Sequence, residues 1–230
     1  MKNNVEILTP VGRLVQGDVF EPQTKDMEGN LLTIKTGANA GKPRVVYFIA
    51  IAIPKTDLEI AKVLQKIIET ARAAFPALFN ANGACLNNNF AFKFTDGDLT
   101  PEKEGFANCW ILKFSGGFAP KCFTRGGESI IVDKDAIKRG YYIRVYGTIA
   151  GNGSNVRPGI FLNPAAIELV GYGDEINTGV NGKTVFGNIP AALPPDVSAT
   201  PLAPSIPVEL PQNSDAPPVA PNYNFLNPQT

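Results

Sequence analysis

Apolar residues recur along this chain mostly in short runs bounded by glycine, proline and asparagine, the pattern of strands and turns. The run from Leu14 to Phe20 in VGRLVQGDVFEP predicts a first strand ahead of a proline turn. PRVVYFIAIAIP concentrates β-branched and aromatic residues, predicting a strand buried on much of both faces and stopped by Pro54. The period then changes. Ile60, Val63, Leu64, Ile67, Ile68, Ala71 and Ala74 recur at helical spacing, Thr56 and Glu59 match a capping box, and Pro76 closes the segment, predicting a helix over 56–75. From Asn82 to Gly105, turn signals (Asn82-Gly83, Asp96-Gly97-Asp98) surround a short FAFKF run. FANCWILKF, KCFT, YYIRVYGTI and IFLNPAAIELVGYG predict further strands, two of them separated by the charged segment DKDAIKRG. Strands broken by Gly and Asn turns around one inserted helix predict a mainly β barrel or sandwich, not alternating βαβ units.

Composition breaks near residue 184. Of the 20 prolines, 11 lie between Pro190 and Pro228, and no Lys or Arg occurs from Thr184 onward. Residues 1–183 are therefore expected to form one domain, and residues 184–230 a Pro-rich tail, disordered or in polyproline II. The 44% hydrophobic content is enough for a substantial core. Histidine is absent, which removes Ser-His-Asp and Cys-His catalysis, His-containing zinc sites and a His pH switch. Cys85, Cys109 and Cys122 are odd in number and lack a CxxC spacing, so a reduced cytoplasm is expected and neither a disulfide framework nor a thiolate metal cage is indicated. The N-terminus has no apolar signal region, and the run from Val45 to Ile53 falls short of the roughly 18 residues that span a bilayer. A soluble protein without membrane attachment or secretion is expected, with Asn152-Gly153-Ser154 read as a turn. The formal net charge of zero hides an asymmetry: residues 1–183 carry +3 and the remainder −3. That describes a mildly basic domain followed by a mildly acidic tail.

Two loops invite functional readings and fail them. GANAGKP, Gly37 to Pro43, has one residue too few between its glycines for a phosphate-binding P-loop, lacks Ser or Thr after the lysine, and precedes a strand. It reads as a mobile basic hairpin loop in which Lys42 or Arg44 could touch a backbone phosphate. TDGDLTPEKE gathers Asp96, Asp98, Glu102 and Glu104 without EF-hand spacing, and reads as a solvated acidic turn. No metal or cofactor is expected, and no nucleophile and base pair marks an enzyme.

The segment from Tyr141 to Ile149 is more informative. Its period-two alternation sets Tyr141, Ile143, Val145 and Gly147 on one face and Tyr142, Arg144, Tyr146 and Thr148 on the other. An aromatic, basic, aromatic row suits single-stranded nucleic acid, because rings stack on any base while a guanidinium neutralises phosphate. The alternative is a sheet surface where two tyrosines cover a core edge and Arg144 is solvated. Interleaving recurs nearby: Lys93 among Phe90, Phe92 and Phe94; Lys113 beside Trp110 and Phe114; Lys121 and Arg125 around Phe123. Trp110 and Phe114 share parity with Leu112 and are assigned to the core, leaving Lys113 on the opposite face.

The order of these segments, with a strand ending in FEP, another ending in IAIPK, a helix, a DGD turn, and then YYIRVYGTIAGNGSNVRPGIFLNPAAIELVGYGDEI, resembles the phage-encoded single-stranded DNA-binding proteins built on an OB-fold. The resemblance covers roughly residues 5–177 and is strongest from Gly140 to Glu175. It implies a five-stranded Greek-key barrel with the helix inserted, binding single-stranded DNA without sequence preference in phage replication or recombination, in the cytoplasm of an infected bacterium. By position it implies that Tyr142, Arg144 and Tyr146 lie on the DNA-facing sheet, and that Lys93, Lys113, Lys121 and Arg125 line the groove. Proteins of this class commonly end in a strongly acidic docking peptide. Here the tail holds only Asp196, Glu209 and Asp215, so Tyr223, Phe225 and Leu226 are the candidate anchors for replication or recombination proteins. A homo-oligomer is compatible with this reading. A virion-associated or adaptor protein presenting its Pro-rich tail is the alternative.

Overall fold

The computed structural model describes residues 4–26, 28–35 and 37–177. The expected tail lies outside them. The strands are β1 (Val5–Leu8), β2 (Gly12–Gly17), β3 (Tyr47–Pro54), β4 (Phe94–Asp96), β5 (Cys109–Gly116), β6 (Lys121–Phe123), β7 (Tyr142–Gly151) and β8 (Ile160–Gly171). One long helix, α1 (Leu58–Ala74), lies between β3 and β4.

The hydrogen-bonded order is β4-β5-β3-β2-β7-β8-β6, with β1 also paired to β7. β7 runs antiparallel to β8 along one edge, while its other edge pairs β1 from Tyr146 to Ile149 and β2 at Tyr142 and Ile143. β1 and β2 therefore share the work of one long strand, interrupted at Thr9-Pro10-Val11. Buried Thr9 stitches the break, exchanging backbone and side-chain hydrogen bonds of 3.0 Å with Val145. Counted this way, the five principal strands have the connectivity of an OB-fold with the helix inserted before the third. The expected Greek-key barrel is an open one: among the described residues the ladder does not close. β5 and β8 meet by packing, with Gly116 beside Pro164.

Alternation places the core. Ile49, Ile51 and Ile53 of β3, Leu112 and Phe114 of β5, Ile143, Val145 and Ile149 of β7, and Leu162 and Ile167 of β8 point inward. α1 lays Ile60, Val63, Ile67 and Ala71 against them. Burying each large aliphatic side chain contributes about 1.5–3 kcal/mol, so this shared interior holds helix and sheet together.

Two local expectations shift and one holds. The first strand was expected from Leu14 to Phe20, but β1 precedes it and β2 ends at Gly17. There φ is +84°, and a Cβ would fall 1.9 Å from the Phe48 carbonyl oxygen, so only glycine fits. Asp18 then turns the chain, its Oδ1 accepting from the Phe20 and Glu21 amides at 2.7 and 2.8 Å. The helix starts later than the Thr56 capping box implied, because Asp57 is its N-cap and accepts from the Glu59 amide at 2.8 Å. The strand expected to be buried on much of both faces is so: Ile49, Ile51 and Ile53 lie in the main core, while Ala50 and Ala52 are buried in a second apolar cluster on the other face, with Phe48 partly buried against it.

Gly147 fixes the β7–β8 pairing. Its register shifts relative to Tyr146, it faces Pro164, and a Cβ there would lie 2.2 Å from the Asn163 carbonyl oxygen. Gly147→Ala is expected to lower stability by about 1–3 kcal/mol in a denaturant melt, the range for overpacking. Gly117→Ala, with no atom within 4 Å of the added carbon, should leave the midpoint unchanged.

Candidate nucleic-acid interface

Because side chains alternate, each strand that buries an isoleucine presents its neighbours outward. On β7 these are Tyr142 and Tyr146, 41% and 39% exposed, with Arg144 between them. Pairing through β8 to β6 extends the row across three strands. Tyr146 stands beside Ala166 and Ala166 beside Lys121; Arg144 stands beside Glu168 and Glu168 beside Phe123. The loop after β6 carries Arg125 toward Glu168. Four candidates distant in sequence, Arg144, Tyr146, Lys121 and Arg125, thus share one face, with Tyr142 at its end.

This face is partly satisfied from within. The Arg144 guanidinium is ion-paired with Glu168, its Nε donating to Oε2 at 2.6 Å. The Gly126 amide donates to Glu168 Oε1 at 2.8 Å. That amide bond, followed by the Arg144 interaction, holds the Glu168 carboxyl below the usual carboxylate range against the opposing effect of burial. Tyr146 donates its hydroxyl to Glu6, and this bond pushes the phenol pKa up. Arg144, expected on the DNA-facing sheet or else solvated, thus carries a carboxylate partner that the sequence did not reveal.

Lys93 and Lys113 sit on the other arm of the sheet. Lys113 lies on the outward face of β5, opposite Ala50, and its amide donates to the Lys93 carbonyl at 2.8 Å. Burial, then the positive charges of Lys103 and Lys93, push the Lys113 ammonium below the ordinary lysine range. No ion pair among the described residues engages any of these three lysines. The outer faces of β3 and β5 are where OB-folds bind oligonucleotides. Here Phe106 and Ile176 cover Ala50, Ala52 and Ile111, leaving an adjacent groove bordered by Gln16, Gln23, Phe48 and Lys103. Lys103 and Phe106 were not singled out from sequence, and Phe48 was absorbed into an apolar run. The Ile-Ala-Ile-Ala-Ile alternation was the signal for Phe48, since it marks one face of β3 as the small-residue face.

A strap divides the two regions. The Arg13 guanidinium donates to the Asp174 and Gly140 carbonyls at 2.8 and 3.2 Å and to Glu104 at 3.1 Å. It thereby fixes residues 173–176 across β2, between Tyr142 and the groove. The seven candidates form two groups rather than one continuous surface.

The acidic turn is otherwise engaged. Lys55 Nζ lies 2.6 Å from both Asp96 and Asp98 and over the Trp110 ring at 5.4 Å. Among the described residues no cluster of three or more His, Cys, Asp and Glu residues could hold a metal, and no helix is long and apolar enough to cross a membrane. Gly37 to Pro43 forms a turn behind the Thr33–Pro43 bridge, with Lys42 Nζ 3.0 Å from Asn39 Oδ1. Tyr223, Phe225 and Leu226 lie outside the described residues.

A family profile described as the single-stranded DNA-binding protein of Enterobacter phage Enc34 matches residues 7–193. The chain belongs to this Enc34 family. Solved structures similar to it include the Enc34 single-stranded DNA-binding protein, at 17% identity and a TM-score of 0.54 over 80% of this chain and 93% of that one. A second Enc34 structure, in complex with single-stranded DNA, aligns at 16% identity and a TM-score of 0.53 over 78% and 95%. The single-stranded DNA-binding protein gp2.5 of bacteriophage T7 aligns at 14% identity and a TM-score of 0.50 over 86% and 100%. No curated protein matches the sequence. At these identities the solved structures support the fold, while the profile places the chain in the Enc34 family.

The lysine trio gives a stability test. A depressed lysine pKa means that the folded protein gains stability as pH rises through that value toward the ordinary one of about 10.4. Lys113→Met should therefore melt no lower than wild type at pH 7, and should lose part of the alkaline gain that wild type shows in thermal melts. A clear drop at pH 7 would mean that the ammonium stabilises the fold.

Proposed function

We propose that this Enc34-family protein binds single-stranded DNA without sequence preference, acting in phage DNA replication or recombination in the cytoplasm of the infected cell. The observation that carries this reading is the exposed row on β7. Tyr142 and Tyr146 present rings to solvent while the same strand fills the core with Ile143 and Val145. The tyrosines stack on bases, each stack contributing about 1–3 kcal/mol irrespective of base identity. Lys121 and Arg125 beside that row, and Lys93 and Lys113 on the other arm, neutralise phosphates. Arg144 joins them when it leaves Glu168. The lysine trio favours an anion on physical grounds, because a phosphate relieves the mutual repulsion felt by Lys113. Residues 1–183 carry this activity in our reading, while the tail from 184 presents Tyr223, Phe225 and Leu226 to replication or recombination proteins.

Titration of the purified protein with oligo-dT and with duplex across salt concentrations tests the assignment. Tighter binding to the single strand, weakening as salt rises, is expected; equal affinity for both, or indifference to salt, contradicts it. Tyr142→Ala and Tyr146→Ala should each weaken oligo-dT binding by roughly five- to a hundredfold, the equivalent of one lost stack, with a nearly unchanged melt. Unfolding of either variant would assign that tyrosine to the core. Deletion of residues 184–230 should leave oligo-dT binding intact.

A further inference from the structure

The outward face of β7 and β8 contains an anion already in place. Glu168 is 16% exposed, and three donors converge on its carboxylate: the Gly126 amide and the Nε and Nη2 of Arg144. Arg125 adds positive charge at longer range. This donor set is one that also recognises phosphodiesters, combining a planar guanidinium with a backbone N–H. The site is concave. Leu8, Phe123 and Tyr146 help wall a cavity of about 250 Å³ over the ion pair, and one of the proposed stacking rings therefore stands at its rim.

We propose that Glu168 is an internal stand-in for a DNA phosphate, so that single-stranded DNA engages this face by exchanging one of its phosphodiesters for the Glu168 carboxylate on Arg144 and Gly126. The proposal rests on the single-strand reading above and deepens it by naming the residue that restrains the site. Charge accounting sets the consequence. In the free protein the Arg144 and Glu168 pair is neutral, so it attracts no DNA from a distance. After exchange the released carboxylate faces solvent and gathers its own counterion, cancelling the one that the phosphate gives up. Arg144 thus contributes almost nothing to the salt dependence of the wild type. It becomes a full phosphate contact only when Glu168 loses its charge. The pair also fills the site when no strand is bound, keeping Arg144 from remaining as an uncompensated cation on a half-buried surface.

Glu168→Gln isolates this effect, because the amide oxygen can still accept the Gly126 hydrogen bond. Oligo-dT affinity at low salt should rise about tenfold, the return of one charge-assisted contact. The slope of log K against log salt should steepen by about 0.7, the value of one additional phosphate on a single strand. Arg144→Gln should weaken oligo-dT binding in both backgrounds, but by less in the wild type, where the lost phosphate contact is offset by the lost pair with Glu168, than in the Glu168→Gln background, where it should remove most of that tenfold gain, a coupling that a purely structural ion pair would not produce. Should the melt show that Glu168→Gln is unfolded, Glu168→Asp, which withdraws the carboxylate by one methylene, should show the same changes in smaller measure. A folded variant with unchanged affinity and slope, or equal losses from Arg144→Gln in both backgrounds, overturns the exchange and leaves single-strand binding standing. Failure of the wild type to bind oligo-dT overturns both.

Discussion

The outward surface of this protein depends on the pairing of β7. That strand carries β8 along one edge and both β1 and β2 along the other, so it joins the two arms of the sheet. Its inward residues, Ile143, Val145 and Ile149, are fully buried, and shifting the pairing by one residue would drive Tyr142, Arg144 and Tyr146 into the core. Core packing therefore specifies which chemistry faces solvent. Gly147 and Pro164 hold the register shift that lets β8 follow β7, and through β8 they position Glu168, Lys121 and Phe123 beside the β7 row. A stability constraint and the proposed recognition surface are set by the same ladder.

Several cations of the described residues are held by partners within the fold. Lys55 is held between Asp96 and Asp98, Arg13 between Glu104 and two carbonyls, and Arg144 against Glu168. Lys93, Lys103 and Lys113 have no ion pair among the described residues and are gathered on the arm where OB-folds bind oligonucleotides. A near-neutral chain can in this way keep a localised positive site. In the proposed mode of binding, aromatic stacking outweighs long-range attraction, in keeping with the modest charge of the N-terminal 183 residues.

Much of this was legible in the sequence because it rests on periodicity. The alternation from Tyr141 to Ile149 sorted inward from outward residues as the structure has them, and parity correctly consigned Trp110 and Phe114 to the core. The helix appeared within a few residues of its observed ends, Asp57 replacing Thr56 as its cap. What periodicity does not carry is partnership across long sequence separations. Nothing near Arg144 marks Glu168 as its partner, because the pair forms only once β7 and β8 register, and nothing near Tyr146 marks Glu6. Strand β1 was missed because four residues interrupted by Thr9 and Pro10 give too short a run; their stability comes from bonds to β7. Phe106 and Ile176 acquire their roles only when the fold lays them over Ala50 and Ala52.

Amide chemical-shift mapping with a short oligo-dT tests most directly whether the outward face of this sheet receives the single strand. The account predicts shifts concentrated at Tyr142 to Tyr146, Ala166 to Glu168, Lys121 to Gly126 and Lys113, with the solvent face of α1 from Leu58 to Arg72 silent. Shifts concentrated on α1 and Trp110, with β7 unperturbed, would contradict it.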